Sequence, residues 1–330
     1  MLSKRQNFLE TIKGGNPDRF VNQYEYMAVI RGGNPVAANN KRPQWGAPNV
    51  VNNWGITYSW PENVPGAFPV HDEEHIVVKD ITKWRDFVHA PSLEYPQEEW
   101  DKYKANVEAI DRNEYFATYA VTPGVFEQFH HLQGVDHALI NFYEEPEATK
   151  ELLDYIVDFE LAYAQKICEN YHPDALFHHD DWGSYRSSFL SPAMFEEFIV
   201  PAYKKIYGFY KANGVEIIIH HSDSYAANLV PNMIDLGIDV WQGPTTTNNV
   251  PELVKQYGEK ITFMGDLDNG VIDRADWSQE QIDREVRRAC ETNGKLYYIP
   301  CLVMGGPESV YPGVYQAVSA AIDKMSEEMF

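Results

Sequence analysis

Residues 174–181 read Asp-Ala-Leu-Phe-His-His-Asp-Asp, and residues 215–222 read Val-Glu-Ile-Ile-Ile-His-His-Ser. Each stretch is an apolar run of strand length that ends in polar side chains. Between them, Ser191-Pro192 is typical of a helix N-terminus and Asn213-Gly214 of a helix end. A strand, a long helix and a second strand in this order indicate two parallel strands joined by a right-handed crossover.

The same alternation extends outward over the last two thirds of the chain. Pro146 opens a further predicted helix, and Ser278-x-x-Gln281 is a capping box at the start of another. With one or two earlier strands, such as a β-like stretch at residues 20–30, the count fits an α/β fold of the (β/α)8 TIM-barrel type, which we predict. A doubly wound sheet is the alternative, although no G-x-G-x-x-G turn supports a dinucleotide-binding version. The strands predicted in this part are Tyr115–Thr122, Asp174–Asp180, Val215–Ser222, Ile238–Gln242, Lys260–Gly265 and Leu296–Pro300.

Two segments fall outside this alternation. The first 15 residues predict a helix that ends at Gly14-Gly15 and forms an N-terminal extension to the barrel. Residues 31–72 are rich in Gly, Pro, Asn and Trp and show no periodicity, which predicts a long irregular cover loop. Because no repeat or linker interrupts the chain, we predict that residues 1–330 form a single domain.

The composition excludes several classes of function. Of the 330 residues, 27 are Lys or Arg and 49 are Asp or Glu, which gives a net charge of −22. This charge argues against nucleic acids and anionic membranes as partners, because both require clustered cations. No apolar run is long enough to predict a membrane span, and three cysteines are too few for a disulfide framework. We therefore expect an acidic cytoplasmic enzyme.

Polar side chains gather at the predicted carboxyl ends of the strands, where barrel enzymes place their active sites. His179, Asp180 and Asp181 follow one strand, and His220 follows the three isoleucines of the next. Imidazole, carboxylate and thiol groups are ligand types of zinc, but the spacing leaves open that they make structural hydrogen bonds or cap helices. The other candidates at strand ends are Glu127, Ser222, Asp223 and Cys301.

The chain resembles the uroporphyrinogen decarboxylase superfamily over most of residues 115–330. The resemblance implies a (β/α)8 barrel, in agreement with the strand count obtained from the sequence pattern. The blocks that carry it are Phe177–Gly183, Leu190–Ile206, Gly214–Ser222, Met233–Asp239 and Met264–Asp268.

This resemblance implies one of two enzyme activities. One branch decarboxylates uroporphyrinogen in porphyrin and haem biosynthesis, a carboxy-lyase reaction without a cofactor, and uses paired arginines for the eight carboxylates of its substrate. The corresponding region here, Tyr24–Arg31, contains a single arginine, and the net charge of the chain would repel a polyanion. The other branch consists of zinc-dependent, corrinoid-linked methyltransferases, and the chain resembles this branch more.

The methyltransferase branch implies a set of metal ligands. By position, His220 matches the histidine of a His-x-Cys motif, Ser222 replaces its cysteine, and Cys301 matches a cysteine after the last strand. Gln242 stands where an acidic ligand is expected. Either the metal is absent, or a harder group such as Asp180, Asp181, Asp223 or Glu127 completes the site, and we assign Asp223 to this role. Because a zinc ion with fewer thiolates is a stronger Lewis acid, this set suits an ether or hydroxyl oxygen rather than a thiol.

We therefore expect a methyltransferase that takes a methyl group from a small methylated donor, such as an aryl methyl ether, and passes it to a corrinoid protein. Zn²⁺ held by the protein polarises the donor oxygen, and the corrinoid is supplied by that partner protein. The leaving oxygen requires a proton, which Asp180, Asp181 or Glu127 is expected to donate.

The segment Trp54–Glu62 resembles the cover loop of O-demethylase-like members of the superfamily. We expect Trp54, Tyr58 and Trp60 to bind the substrate together with His179, although aromatic side chains can also pin a loop to the barrel. Two other functions stay open on the sequence. One is uroporphyrinogen decarboxylase, and the other is a non-catalytic small-molecule-binding barrel that has lost its metal.

Overall fold

The computed structural model describes residues 1–30, 33–62, 64, 66–306 and 310–330, so Arg31 lies outside the described residues. The strands are β1 (Met27–Ile30), β2 (Val50–Val51), β3 (Thr57–Ser59), β4 (Phe68–Pro69), β5 (Phe116–Val121), β6 (Ala175–His179), β7 (Ile217–His221), β8 (Val240–Gln242), β9 (Thr262–Leu267) and β10 (Tyr298–Leu302). The α-helices are α1 (Lys4–Ile12), α2 (Pro35–Ala38), α3 (Gln97–Asp101), α4 (Lys104–Glu108), α5 (Val125–His131), α6 (Val135–Glu144), α7 (Pro146–Tyr171), α8 (Pro192–Phe198), α9 (Val200–Ala212), α10 (Val230–Asp235), α11 (Val250–Tyr257), α12 (Asn269–Ile272), α13 (Gln279–Asn293) and α14 (Val314–Met329). Short 3-10 helices cover Ile81–Asp86, Ala227–Leu229 and Thr246–Asn248.

A curled parallel sheet forms the centre of the molecule. Its strands follow the order β1-β5-β6-β7-β8-β9-β10, and every neighbouring pair is parallel. The predicted α/β barrel fold is thus confirmed, and all six strands predicted after residue 114 are present. The described residues contribute seven strands rather than eight, because the β-like stretch at residues 20–30 becomes a strand only from Met27 and β1 then pairs directly with β5.

Side chains bridge the edge between β10 and β1, where the described residues form no strand ladder. The side-chain oxygen of Gln23 accepts a hydrogen bond from the backbone N–H of Leu302 at 3.5 Å. Its amide nitrogen donates to the hydroxyl of Ser319 on α14 at 2.9 Å. One glutamine therefore ties both ends of the sheet to the last helix.

The predicted N-terminal helix is confirmed as α1, which lies across the end of the barrel where the strands begin. The backbone N–H of Tyr297, next to the start of β10, donates to the carbonyl of Thr11 at 3.0 Å. The ring of Phe8 stacks on Tyr26 with centroids 4.0 Å apart and contacts Phe116 edge-on. The extension therefore closes this end of the barrel with an apolar plug.

Alternate residues of each strand face the inside of the barrel and the helices outside it. On β7, Ile217 and Ile219 pack inside, whereas Ile218 packs against the helices. This alternation follows from the pleat of a strand, and both faces are apolar because both are buried. The side chains of β5 to β10 that pack inside are Phe116, Ala175, Phe177, Ile217, Ile219, Val240, Met264, Ile299 and Cys301.

The cover segment at residues 31–72 is more regular than its sequence predicts. Its described part contains α2 and a three-stranded antiparallel sheet in the order β2-β3-β4. Two or three residues per strand are too few to produce a recognisable alternation, which is why the sequence predicts an irregular loop here. Residues 31, 32, 63 and 65 of this segment lie outside the described residues.

The helix signals identify most helix ends correctly. Ser191 caps α8, and Ser278 and Gln281 form the capping box of α13. The single helix expected from Pro192 to Asn213 is two helices, since Ile199 interrupts it before Pro201 in the first turn of α9.

All three cysteines are free and buried. None of the described helices combines the length and apolar composition that a membrane span requires.

Candidate metal centre

Two histidines and an aspartate converge at the mouth of the barrel, which is the end formed by the carboxyl ends of the strands. His179 ends β6, His221 ends β7, and Asp181 follows two residues after His179. One potential ligand atom from each of these three residues lies within 4.8 Å of those of the other two. The Nε2 atom of His221 is 4.0 Å from a carboxylate oxygen of Asp181, and the two imidazole rings stack with centroids 4.3 Å apart.

Two neighbouring side chains fix the orientation of the imidazoles. The Nδ1 atom of His179 lies 2.8 Å from a carboxylate oxygen of Glu127. The Nδ1 atom of His221 contacts the side-chain oxygen of Gln242, whose amide nitrogen lies 3.3 Å from each of the carbonyls of Leu302 and Val303. Because those carbonyls require the amide nitrogen, the oxygen of Gln242 faces His221 and accepts its Nδ1 proton. The Nε2 lone pair of neutral His221 is thus left free.

Glu127 reaches His179 because Asp180 anchors the start of α5. The buried carboxylate of Asp180 accepts the backbone N–H of Phe126 at 3.1 Å and that of Glu127 at 2.6 Å. It also accepts the indole N–H of Trp182 at 2.8 Å and the hydroxyl of Tyr203. A carboxylate at a helix N-terminus satisfies free N–H groups and is stabilised by the helix dipole.

The electrostatics of the mouth are dominated by carboxylates. Burial disfavours a charge on His179, but Glu127, through its charge and its hydrogen bond, and Asp181 outweigh this effect and raise the pKa of His179 to about 10. Burial and the neighbouring charge of Asp181 raise the pKa of Asp223 above its usual range. Burial and the proximity of His179 lower the pKa of His221. A cation that takes Nε2 of His179 therefore displaces a proton from it.

His220 does not take part in this centre, contrary to the sequence prediction. It faces the helices rather than the barrel interior, and its ring stacks on Trp182 with centroids 3.6 Å apart. Its Nδ1 atom lies 2.8 Å from the hydroxyl of Tyr207, and its Nε2 atom lies 3.1 Å from the carbonyl of Asp180. Since both nitrogens have hydrogen-bond partners and burial lowers its pKa, His220 is a neutral packing residue.

Cys301 is on the opposite side of the barrel wall from His220, so the two residues predicted to share a metal do not meet. Its side chain packs within the barrel interior, below the mouth, and its thiol lies 3.2 Å from the carbonyl of Leu302. Burial raises the pKa of this thiol well above its usual range, which keeps it protonated. Neither residue belongs to a ligand cluster in the described part of the chain. The predicted ligand assignment is corrected accordingly.

The remaining predicted acids divide into two groups. Asp180 faces the helices, and its carboxylate is fully occupied as a cap, so it does not reach the mouth. Asp181, Glu127 and Asp223 do lie at the mouth. The backbone N–H of Asp223 donates to a carboxylate oxygen of Asp181 at 2.9 Å, which places the third predicted metal ligand beside the observed cluster.

The residues predicted to bind the substrate do not form one group in the structure. Trp54 is buried and packs edge-on against Phe159 of α7, so it pins the cover segment to the barrel. The indole of Trp60 donates to the carbonyl of Val64 within the segment itself. Tyr58 contacts Nδ1 of His131 on α5 at 3.1 Å, and His179 belongs to the cluster.

His221 is the site residue that the sequence analysis missed. It follows His220 directly and shares a face with Ile217 and Ile219. The three consecutive isoleucines do not indicate which face of β7 points into the barrel, because a parallel strand is apolar on both faces. One sequence signal could have identified His221. His179 and Asp181 are two residues apart, as are His221 and Asp223, and this spacing puts each pair on one face of its strand.

The donor set fits a zinc ion. Two imidazoles and one carboxylate are the protein ligands of many catalytic zinc sites, which keep a further position open for substrate. The contacts of Glu127 and Gln242 with the outer ring nitrogens are of the kind that orient metal-binding histidines. This fit rests on His179, Asp181 and His221 and requires no thiolate.

Comparisons with known proteins agree with this fold. The family model described as Uroporphyrinogen decarboxylase (URO-D) matches residues 117–325. A solved methyltransferase from Methanosarcina mazei superposes with a TM-score of 0.68 at 14% identity, and the alignment covers 98% of this chain and 99% of that one. At this identity the likeness shows a shared fold.

A weaker structural similarity involves D-psicose 3-epimerase crystallised in the presence of D-fructose. The TM-score is 0.38 at 11% identity, with 71% of this chain and 84% of that one covered, and nothing is inferred from it. A search among curated protein sequences finds no significant match.

Proposed function

The chain belongs to the uroporphyrinogen decarboxylase family, and from that premise we propose that it is a zinc-dependent methyltransferase acting on an oxygen-linked methyl group. The observation that carries the proposal is the convergence of His179, Asp181 and His221 at the mouth of the barrel. Glu127 and Asp223 add two further carboxyl groups there. Such a mouth attracts a divalent cation and opposes the entry of a substrate with eight carboxylates.

The three clustered residues have distinct roles in this proposal. His179 and His221 each offer Nε2 to the zinc ion, and Asp181 offers a carboxylate oxygen. When bound, the zinc supplies Lewis acidity that weakens the bond between the donor oxygen and its methyl group. A site without a thiolate suits this use, because nitrogen and oxygen ligands donate less electron density than sulfur does.

The reaction also needs a methyl acceptor and a proton. We propose a reduced corrinoid on a partner protein as the acceptor, so that the methyl group moves to the corrinoid while the donor oxygen keeps the bonding electrons and then takes a proton. Asp223 is the carboxyl group at the mouth that neither binds the ion nor orients an imidazole, so it is available as the proton donor, whereas Glu127 is engaged with Nδ1 of His179. The reducing cytoplasm that such a corrinoid requires is consistent with three free cysteines.

The test of the proposed function follows the cobalt spectrum. The zinc-loaded protein is mixed with a reduced corrinoid protein and, one at a time, with methanol and a panel of methoxylated aromatic compounds. We expect at least one donor to convert the reduced-cobalt spectrum to that of the methylated form. His221→Ala should abolish this conversion, while the control His137→Ala, at an exposed position on α6, should not change it. The proposal fails if no donor is active, or if His221→Ala is as active as the parent protein.

A further inference from the structure

A cavity lies outside the barrel wall, between the cover segment and the outer side of β5 and α7. Its volume is about 140 Å³, and none of the residues around it belongs to the metal centre. The rings of Trp54, Phe159 and Tyr163 form aromatic walls on one side. An apolar cavity of about 150 Å³ can bind benzene, so this cavity is of a size to hold one small aromatic ring.

The polar side of this cavity carries hydrogen-bond donors. The side-chain oxygen of Asn40 accepts the backbone N–H of Asn53 at 3.0 Å, and that of Asn52 accepts the N–H of Trp54 at 2.9 Å and of Ile56 at 3.0 Å. Because these oxygens are occupied, the NH₂ groups of Asn40 and Asn52 are the parts of the side chains left to bind a ligand.

Arg42 adds a positive charge to the same cavity. Its guanidinium forms no ion pair with the described residues, although acidic residues outnumber basic ones by 49 to 27 in this chain. In contrast, Arg5, Arg112 and Arg288 each contact at least one carboxylate. An arginine without a carboxylate beside a donor-rich cavity is available to an anion from solution.

Gln128 provides an independent sign that the cavity receives a ligand. The residue is only 3% exposed and lines the cavity from α5. Its amide nitrogen is buried and has no hydrogen-bond partner among the described residues. Since an unsatisfied buried amide is costly, such a group in a native protein is expected to find a partner that enters the site.

We propose that this cavity binds a small aromatic carboxylate. The ring would pack against the aromatic wall formed by Trp54, Phe159 and Tyr163. The carboxylate would accept hydrogen bonds from Arg42 and from the amides of Asn52 and Gln128. One guanidinium among neutral amides matches a single negative charge, and aromatic walls favour an aromatic ring over an inorganic ion. This binding does not depend on the metal centre.

The experiment compares a charged probe with its neutral isostere. Benzoate, benzamide and inorganic phosphate are titrated into the full-length protein by calorimetry, in the presence of zinc and again with a metal chelator. We expect benzoate to bind with equal affinity under both conditions and at least ~10-fold more tightly than benzamide, because only benzoate forms charge-assisted hydrogen bonds with Arg42. Equal binding of benzoate and benzamide, binding of phosphate alone, or no binding at all would overturn the proposal.

Two variants and one control test whether benzoate binds in this cavity. Arg42→Gln and Gln128→Leu should each weaken benzoate binding by about 10-fold or more, since each removes one polar contact with the carboxylate. Arg186→Gln is the matched control, because Arg186 is also exposed but lies outside the cavity. Thermal unfolding establishes that each variant is folded before titration. An unchanged benzoate affinity in Arg42→Gln would exclude this cavity as the site.

Discussion

Gln242 determines which nitrogen of His221 faces the mouth. Replacing it by Leu removes the hydrogen-bond acceptor for Nδ1, so the imidazole is free to change its tautomer and orientation. We expect Gln242→Leu to lower the affinity for zinc by about 10–100-fold. Competition with a chromogenic chelator measures this affinity. Gln242→Glu retains the acceptor and should bind zinc more tightly than Gln242→Leu, whereas equal affinities of the parent and Gln242→Leu would contradict this role.

The two adjacent histidines of β7 should respond differently to substitution. His221→Ala removes a ligand and should abolish zinc binding. His220→Ala removes the stacking on Trp182 and two buried hydrogen bonds, so it should lower the free energy of unfolding by about 2–3 kcal/mol while the folded protein still binds zinc. Denaturant unfolding and zinc analysis of the same samples separate the two effects. Loss of zinc from folded His220→Ala would reverse this assignment.

At the level of residues, the sequence predicted which groups gather at the mouth better than it predicted their orientation. His179, Asp181, Glu127 and Asp223 were all candidates and all lie there. His220 failed as a ligand because a shift of one residue moves a side chain to the other face of a strand. Cys301 failed for a different reason, since it faces inward but packs among the apolar interior side chains and joins no ligand cluster of the described residues. His221 and Asp223 are spaced by two residues, as His220 and Ser222 are. Shifting the motif by one residue therefore places both side chains at the mouth.

Helix α5 depends on a close approach that only glycine allows. A Cβ atom on Gly124 would lie 2.5 Å from that of Asp180, so a larger residue would push the helix away from its cap. Asp180→Ala removes four hydrogen bonds, including those that hold the first turn of α5. We expect this variant to lower the free energy of unfolding by about 3 kcal/mol, measured by urea denaturation.

The control for this prediction is Asp136→Ala in the first turn of α6. Asp136 is exposed, and its contribution through the helix dipole should be within about 1 kcal/mol. Equal effects of Asp136→Ala and Asp180→Ala would show that Asp180 is not a buried cap.

At the level of elements, local signals predicted most of the fold. The strands from β5 to β10 each contain a continuous apolar run, and Ser191, Ser278 and Gln281 mark helix starts by side-chain hydrogen bonds that the sequence displays directly. The sheet of the cover segment was not predictable in this way. Its strands are two or three residues long and are stabilised by packing of residues such as Trp54 on α7, which no local pattern reports.

The whole barrel depends on the plug that α1 provides. Phe8 is completely buried between Tyr26 and Phe116 and connects the N-terminus to the interior side chains of the strands. Phe8→Ala should lower the free energy of unfolding by about 3–5 kcal/mol, because it leaves a cavity in the closed end. The exposed Phe68 is the matched control, and Phe68→Ala should change stability by less than about 0.5 kcal/mol. Similar unfolding curves for both variants would argue against the plug.

The zinc site depends on the whole molecule, since three residues from two strand ends must meet on one ion. The most direct measurement is zinc K-edge X-ray absorption of the zinc-loaded protein. We expect one zinc per chain with only nitrogen and oxygen ligands, two of them imidazole, at about 2.0–2.1 Å. A sulfur ligand at about 2.3 Å, or an unchanged spectrum in His221→Ala, would contradict it.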